Sequence, residues 1–123
     1  MKTKPLTFLL ALTFLFLFSG SVYGDDFQDG YDAYLKQDYK KAVRLYRLSA
    51  EQGNALAQYS LGLMHQKGQG VPKDYVLAHM WWNISSSNGH NGDIKFRDII
   101  EKRMSPSQIE KAQEMARNWK PKK

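Results

Sequence analysis

The chain contains no cysteine in its 123 residues. That absence excludes a thiol nucleophile, a disulfide framework and a lipid anchor, which needs a cysteine just after a cleavage site. Small exported domains often lean on disulfides because their cores are small, so stability here has to come from helix packing. The three histidines, His65, His79 and His90, form no His-Glu-x-x-His pattern, and no two of them share a helical turn. No catalytic or metal-binding role is therefore assigned to any of them, and no cofactor is expected. There is no Gly-x-Ser-x-Gly elbow for a serine nucleophile. Gly68-x-Gly70 lacks the third glycine, the preceding strand and the Lys-Ser/Thr end of a phosphate loop. The basic residues are dispersed, so nucleic acid is not an expected partner. No apolar run reaches the ~20 residues of a membrane-spanning helix.

The longest such run, residues 6–18, has a different meaning. It follows Lys2 and Lys4 and precedes the small, turn-like stretch Ser19 to Gly24, with Val22 and Gly24 at the −3 and −1 positions of a cleavage site. This is the layout of a secretory signal peptide. We expect residues 1–24 to be a leader cleaved after Gly24, with Ser21 as the alternative site. The mature chain is then an exported bacterial protein, periplasmic or secreted, with no stable membrane anchor. Loss of Lys2 and Lys4 takes the formal net charge from +6 to +4. Both signs are interspersed over the rest, and the basic cluster Lys120 to Lys123 is expected to be a solubilising tail.

What remains, residues 25–119, is one small domain, and it repeats itself. Asp38, Tyr39, Ala42, Tyr46, Ala50 and Gly53 align with Asp74, Tyr75, Ala78, Trp82, Ser86 and Gly89 at a constant offset of 36. Each copy opens on Asp, a good N-cap, and closes on Gly, which best tolerates the conformation just past a helix. Between them, aromatic and small residues recur at helical spacing. The segment linking the copies is helical too, with Ala55, Gln58, Leu61, Gly62 and His65 on one face, followed by the turn-forming loop Gly68 to Lys73. A helix pair cannot bury its apolar face alone, so stacking on neighbours is required.

Gly53, Ala55, Ala57, Leu61, Gly62, Gly68, Gly70, Asp74, Ala78, Trp82 and Gly89 together resemble the signature of the Sel-one-like repeat, a relative of the tetratricopeptide repeat with a longer connecting loop. His65 stands where Tyr is usual and reads as a substitute for a packing aromatic; Ser86 stands where Ala is usual. The preceding copy, Gly30 to Tyr39, resembles a plain tetratricopeptide turn without the long loop. At the other end, Ser105-Pro106-Ser107-Gln108 is a capping-box helix start, and Ile109, Ala112, Met115, Ala116 and Trp119 form an amphipathic stripe. It resembles the closing helix of small family members. The expected fold is all-α: a short α-solenoid of six helices in about three antiparallel hairpins.

The resemblance implies a protein–protein interaction module, an adaptor for a protein or peptide partner in the cell envelope, and not an enzyme. In such stacks the first helix of each pair lines the concave surface. Its non-signature positions here are Leu56, Tyr59, Ser60, Leu63 and Gln66, with Tyr31 and Tyr34 as neighbours from the first pair. Tyr31, Tyr34, Leu56, Tyr59, Leu63 and Gln66 are the candidate partner-binding residues. The competing reading packs Leu56 and Leu63 against the adjacent hairpin. Trp81 and Trp82 are adjacent and cannot share a face; core packing is favoured for both. Cys-rich exported relatives are linked with β-lactam binding or hydrolysis, so the alternative is a cell-wall-fragment or β-lactam-binding envelope protein or hydrolase. Its candidate acids, Asp98 and Glu101, stand at no spacing that pairs them with a base. Self-association through the open end of the stack is a third option.

Overall fold

A computed structural model describes residues 22–122, with side chains from residue 26 onward. Nearly all of the expected leader lies outside the described residues; Val22 to Gly24 fall in the first helix. Six helices follow one another: α1 (Val22–Leu35), α2 (Tyr39–Glu51), α3 (Ala55–Lys67), α4 (Tyr75–Ser87), α5 (Asp93–Glu101) and α6 (Pro106–Asn118). The starts of α2, α4 and α6 are where Asp38, Asp74 and Ser105 put them, whereas α1 begins at Val22, inside the expected leader. The Asp38, Asn54 and Asp74 carboxylate or amide oxygens accept N–H bonds from Lys41, Ala57 and Leu77. Ser105 and Gln108 complete a reciprocal capping box, with Pro106 at the first helical position. Gly53, Gly68, Gly70 and Gly89 all have positive φ.

Helix pairing rests on one joint, used twice. In α3 a Cβ on Gly62 would collide with the Trp82 indole of α4. Trp82 is fully buried there, and its Nε1 donates to the Tyr59 carbonyl at 3.2 Å. Removing the ~200 Å² of a tryptophan from water at roughly 25 cal/mol per Å² stabilises the pair by about 5 kcal/mol as an upper bound. In the first pair, Gly30 of α1 lies under the Tyr46 ring of α2, where a Cβ would sit 2.8 Å from Cδ1. Ala57, Leu61 and Ala78 are fully buried around the second joint, and the Ala55 carbonyl accepts the Ser85 hydroxyl at 2.7 Å.

The long loop after α3 has a structural duty of its own. Gly70 (φ +74) passes so close to α2 that a Cβ would stand 2.5 Å from the Tyr39 carbonyl oxygen. Val71 packs against the core beside it. The loop thus braces the second pair against the first.

α4 is the hub. Its buried residues run right round the helix, so α3, α5 and α6 all pack on it. Successive residues are about 100° apart, so Trp81 and Trp82 enter different cores. Trp81 joins Val43, Tyr46, Leu61 and Met64, meeting Trp119 edge-on at 6.2 Å. Trp82 joins Ala78, Ile100, Met104 and Ala112. Core packing therefore accounts for both tryptophans. The last two helices close the stack mainly by lying on α4.

The C-terminal tail is exposed, as a solubilising end would be, and is also tied down: Lys122 donates its backbone N–H to the Glu51 carbonyl at 2.7 Å, and its Nζ pairs with Glu51 Oε2 at 2.8 Å. The free carbonyl at the end of α2 attracts the Lys122 N–H and the Glu51 carboxylate its ammonium.

Candidate functional site

α1 and α3, the first helices of the two pairs, align with an offset of 32, four less than α2 and α4. Gly30 then matches Gly62, Tyr31 matches Leu63, Tyr34 matches Gln66, and Phe27 matches Tyr59. Residues at matched positions point the same way from neighbouring helices. Tyr31 and Tyr34 from α1, Tyr46 from α2, and Tyr59, Ser60, Leu63 and Met64 from α3 line a cleft of about 200 Å³. Four of the six candidate partner-binding residues, Tyr31, Tyr34, Tyr59 and Leu63, come together here. Leu56 and Gln66 lie outside it; Leu56 is 49% exposed on α3, and its Cα falls a full turn short of the cleft.

No charged side chain lines the cleft. Tyr46, buried under the first joint, forms part of its wall, and burial pushes its phenol up to about 12, with the Ser60 hydroxyl pulling the other way. In the sequence Tyr46 appears only as a repeat position, matched to Trp82. Its hydroxyl is the signal that it does more, because a buried Tyr places its polar tip where a partner or water can meet it. Tyr59 is held rigidly. Its ring stacks on His90 at 4.6 Å and tilts against Phe96 at 5.8 Å. His90 Nδ1 lies 2.6 Å from Asp93 Oδ1, with Asp93 fully buried, and burial raises the pKa of both Asp93 and Tyr59. Leu63 packs partly on the second core, as the competing reading held, while its remaining surface faces the cleft. A neutral, aromatic, partly rigid cleft of this size suits one large apolar or aromatic side chain.

One pairing overturns a sequence expectation. Glu101 has a basic partner after all: its Oε1 lies 2.7 Å from His79 Nε2. The tautomer follows from the neighbours. Arg97 can only donate, so the Asn83 oxygen faces it, and the Asn83 amide N–H₂ faces His79 Nδ1 at 2.8 Å. Nδ1 therefore accepts, and Nε2 carries the proton donated to Glu101. His79 is fully buried, so this chain of contacts ties α4 to α5 and offers no base to a substrate. Among the described residues, no three His, Asp or Glu side chains stand together as a metal site.

Comparison with known proteins completes the description. The Sel1 repeat profile matches residues 23–54 and again residues 55–90, more than half of the chain. The chain belongs to the Sel1 repeat family. Both helix pairs match, including the first, whose short turn sets it apart. The crystal structure of c5321, a protective antigen of uropathogenic Escherichia coli strains with an SLR fold, superposes with a TM-score of 0.74 at 30% identity, over 82% of this chain and 23% of that one. The ERAD-associated E3 ubiquitin-protein ligase component HRD3A of Arabidopsis thaliana is 38% identical over 50 residues, 41% of this chain and 7% of that protein. Human protein sel-1 homolog 2 is 36% identical over 58 residues, 47% of this chain and 8% of that protein. The chain thus spans less than a tenth of these curated relatives. Sel1 repeat proteins are protein–protein interaction modules.

Proposed function

We propose that this chain is an exported, non-enzymatic adaptor that holds a protein partner in the cell envelope by seating one apolar or aromatic side chain in the tyrosine cleft. The observation that carries the reading is the convergence of Tyr31, Tyr34, Tyr59 and Leu63 from two successive repeats on one uncharged cleft. Tyrosines at such a surface supply large contact area at low entropic cost, and central aromatic anchors dominate binding energy. The leader pattern of residues 1–24 supports export.

The test pairs the wild type with a Tyr31→Ala/Leu63→Ala variant. Tyr31 is 45% exposed and Leu63 only partly buried, so the helical signal should be unchanged. Each is immobilised and exposed to envelope extract. A specific protein retained by the wild type and lost by the variant is the expected result. Equal retention by both, or none by either, overturns the cleft reading. Fractionation of cells expressing the full chain with a C-terminal tag tests export separately: the expected product is shortened and outside the cytoplasm, and a full-length cytoplasmic product overturns it.

A further inference from the structure

A second cleft, of about 460 Å³, lies between α4, α5 and α6 and shares no residue with the tyrosine cleft. Its chemistry is the reverse. Arg97 of α5 and Arg117 of α6 both line it, with Gln113 of α6 and Ser86 and Asn83 of α4, and no carboxylate does. Structural duty accounts for only part of this. One N–H of Arg97 goes to Asn83 Oδ1, and its Nε comes no nearer to an acid than 3.8 Å from Asp98. That Nε is buried without a hydrogen-bond partner among the described residues. Arg117 sits in the last turn of α6, where a cation favours the helix end, yet it has no ion-pair partner among the described residues. The Asn83 amide is already committed at both ends, so it holds Arg97 in place without competing for a ligand.

Two guanidinium groups on different helices line one cleft, Arg97 with only a loose 3.8 Å contact to Asp98 and Arg117 with no ion-pair partner among the described residues, and together they form an oxyanion site. The charge of the ligand can be narrowed. The C-terminal ends of α4 and α6, each carrying partial negative charge, border the cleft at Ser86 and Arg117, and Asp98 lies beside Arg97. These oppose a second negative charge on the ligand. A planar, singly charged carboxylate fits the guanidinium forks, and the dianion of a phosphate is disfavoured. We propose that this cleft binds a carboxylate, supplied either by a small free acid or by an acidic peptide side chain, between Arg97 and Arg117. The proposal is independent of the tyrosine cleft and of any partner bound there.

The test reads the side-chain Nε–H signals of Arg97 and Arg117 in ¹⁵N-labelled protein. Sodium acetate, N-acetyl-glutamic acid amide and inorganic phosphate are titrated separately at constant ionic strength, with chloride as reference. Both arginine signals should move together along a saturating curve with the two carboxylates, and less tightly with phosphate. The tighter of the two carboxylates identifies the source. Arg117→Gln, on an exposed position of α6, should weaken binding about tenfold, as expected for loss of one charge-assisted pair. Lys120→Gln should leave it unchanged. Circular dichroism verifies that both variants keep their helicity. Linear shifts equal to those in chloride, tighter binding of phosphate than of either carboxylate, or unchanged affinity in Arg117→Gln would each overturn the proposal.

Discussion

The two helix pairs, α1–α2 and α3–α4, carry the same joint and differ in what surrounds it. In both, a glycine on the first helix receives an aromatic ring from the second: Gly30 under Tyr46, Gly62 under Trp82. In the second pair the ring is an indole with its N–H tied to the Tyr59 carbonyl, sealed by α5 and α6. In the first pair the ring is a phenol, and beside it lies the tyrosine cleft. The second pair also has the long loop that reaches back to Tyr39, whereas the first makes do with a short turn at Gln37. The comparison teaches that the same joint is sealed by later helices in the second pair and left beside an open cleft, shared with α3, in the first.

The strongest way to break this comparison is to fill both joints. Gly62→Ala puts a methyl into the immobile Trp82 indole, and a net loss of roughly 2–3 kcal/mol is expected even after the helix-propensity gain of ~1 kcal/mol. Gly30→Ala meets the Tyr46 ring at 2.8 Å, a milder clash than that of a Cβ at Gly62 with the Trp82 indole, so a smaller net loss of roughly 1 kcal/mol is expected. Urea denaturation of both variants measures the difference, and a larger loss at Gly30 contradicts the comparison. The brace comes next. Gly70→Ala combines positive φ with a collision on the Tyr39 carbonyl, and a loss of about 2 kcal/mol is expected in the same assay.

The matched positions Ala33 and His65 sharpen the contrast through pH. His65 is buried, its Nδ1 has no partner, and burial lowers its pKa, with Asp74 and the Pro72 backbone opposing and Arg47 reinforcing the shift. Below the ordinary value of 6.5 the unfolded chain binds the proton more readily than the folded one. The stability His65 confers is therefore full above 6.5 and is lost as pH falls from there through the lowered folded value. His65→Leu should flatten the melting temperature across that window. The smallest effect concerns the short turn: Gln37 holds φ +61, a conformation that Gly68 adopts at the end of α3 without strain. Gln37→Gly should raise stability by about 0.5 kcal/mol in thermal melts.

Much of the fold was legible because its signals are local. Asp38, Asp74 and Ser105 mark helix starts, and Gly53 and Gly89 mark helix ends, through contacts within a few residues of each. Spacing put Tyr59 and Leu63 on one face of α3, and the family resemblance implied that Tyr31 and Tyr34 are their neighbours from the first pair. The equivalence of Gly30 and Gly62 was not, because the loop after α3 is four residues longer and shifts the offset from 36 to 32. Leu56 and Gln66 were included because they lie on nearly the same helical face, and they sit at the two ends of α3, beyond the stretch from Tyr59 to Met64 that lines the cleft.

The sequence by itself determined six helices, their capped ends and their buried stripes, since capping, turn glycines and helical periodicity act over one or two turns. Only the tertiary structure decided which distant groups come together: His79 against Glu101, Arg97 and Arg117 on one cleft, and the Lys122 tail on the end of α2. Those partners are separated by 20 or more residues. Their approach depends on how far each helix is rotated against its neighbour, and that rotation is set by packing the whole stack around α4.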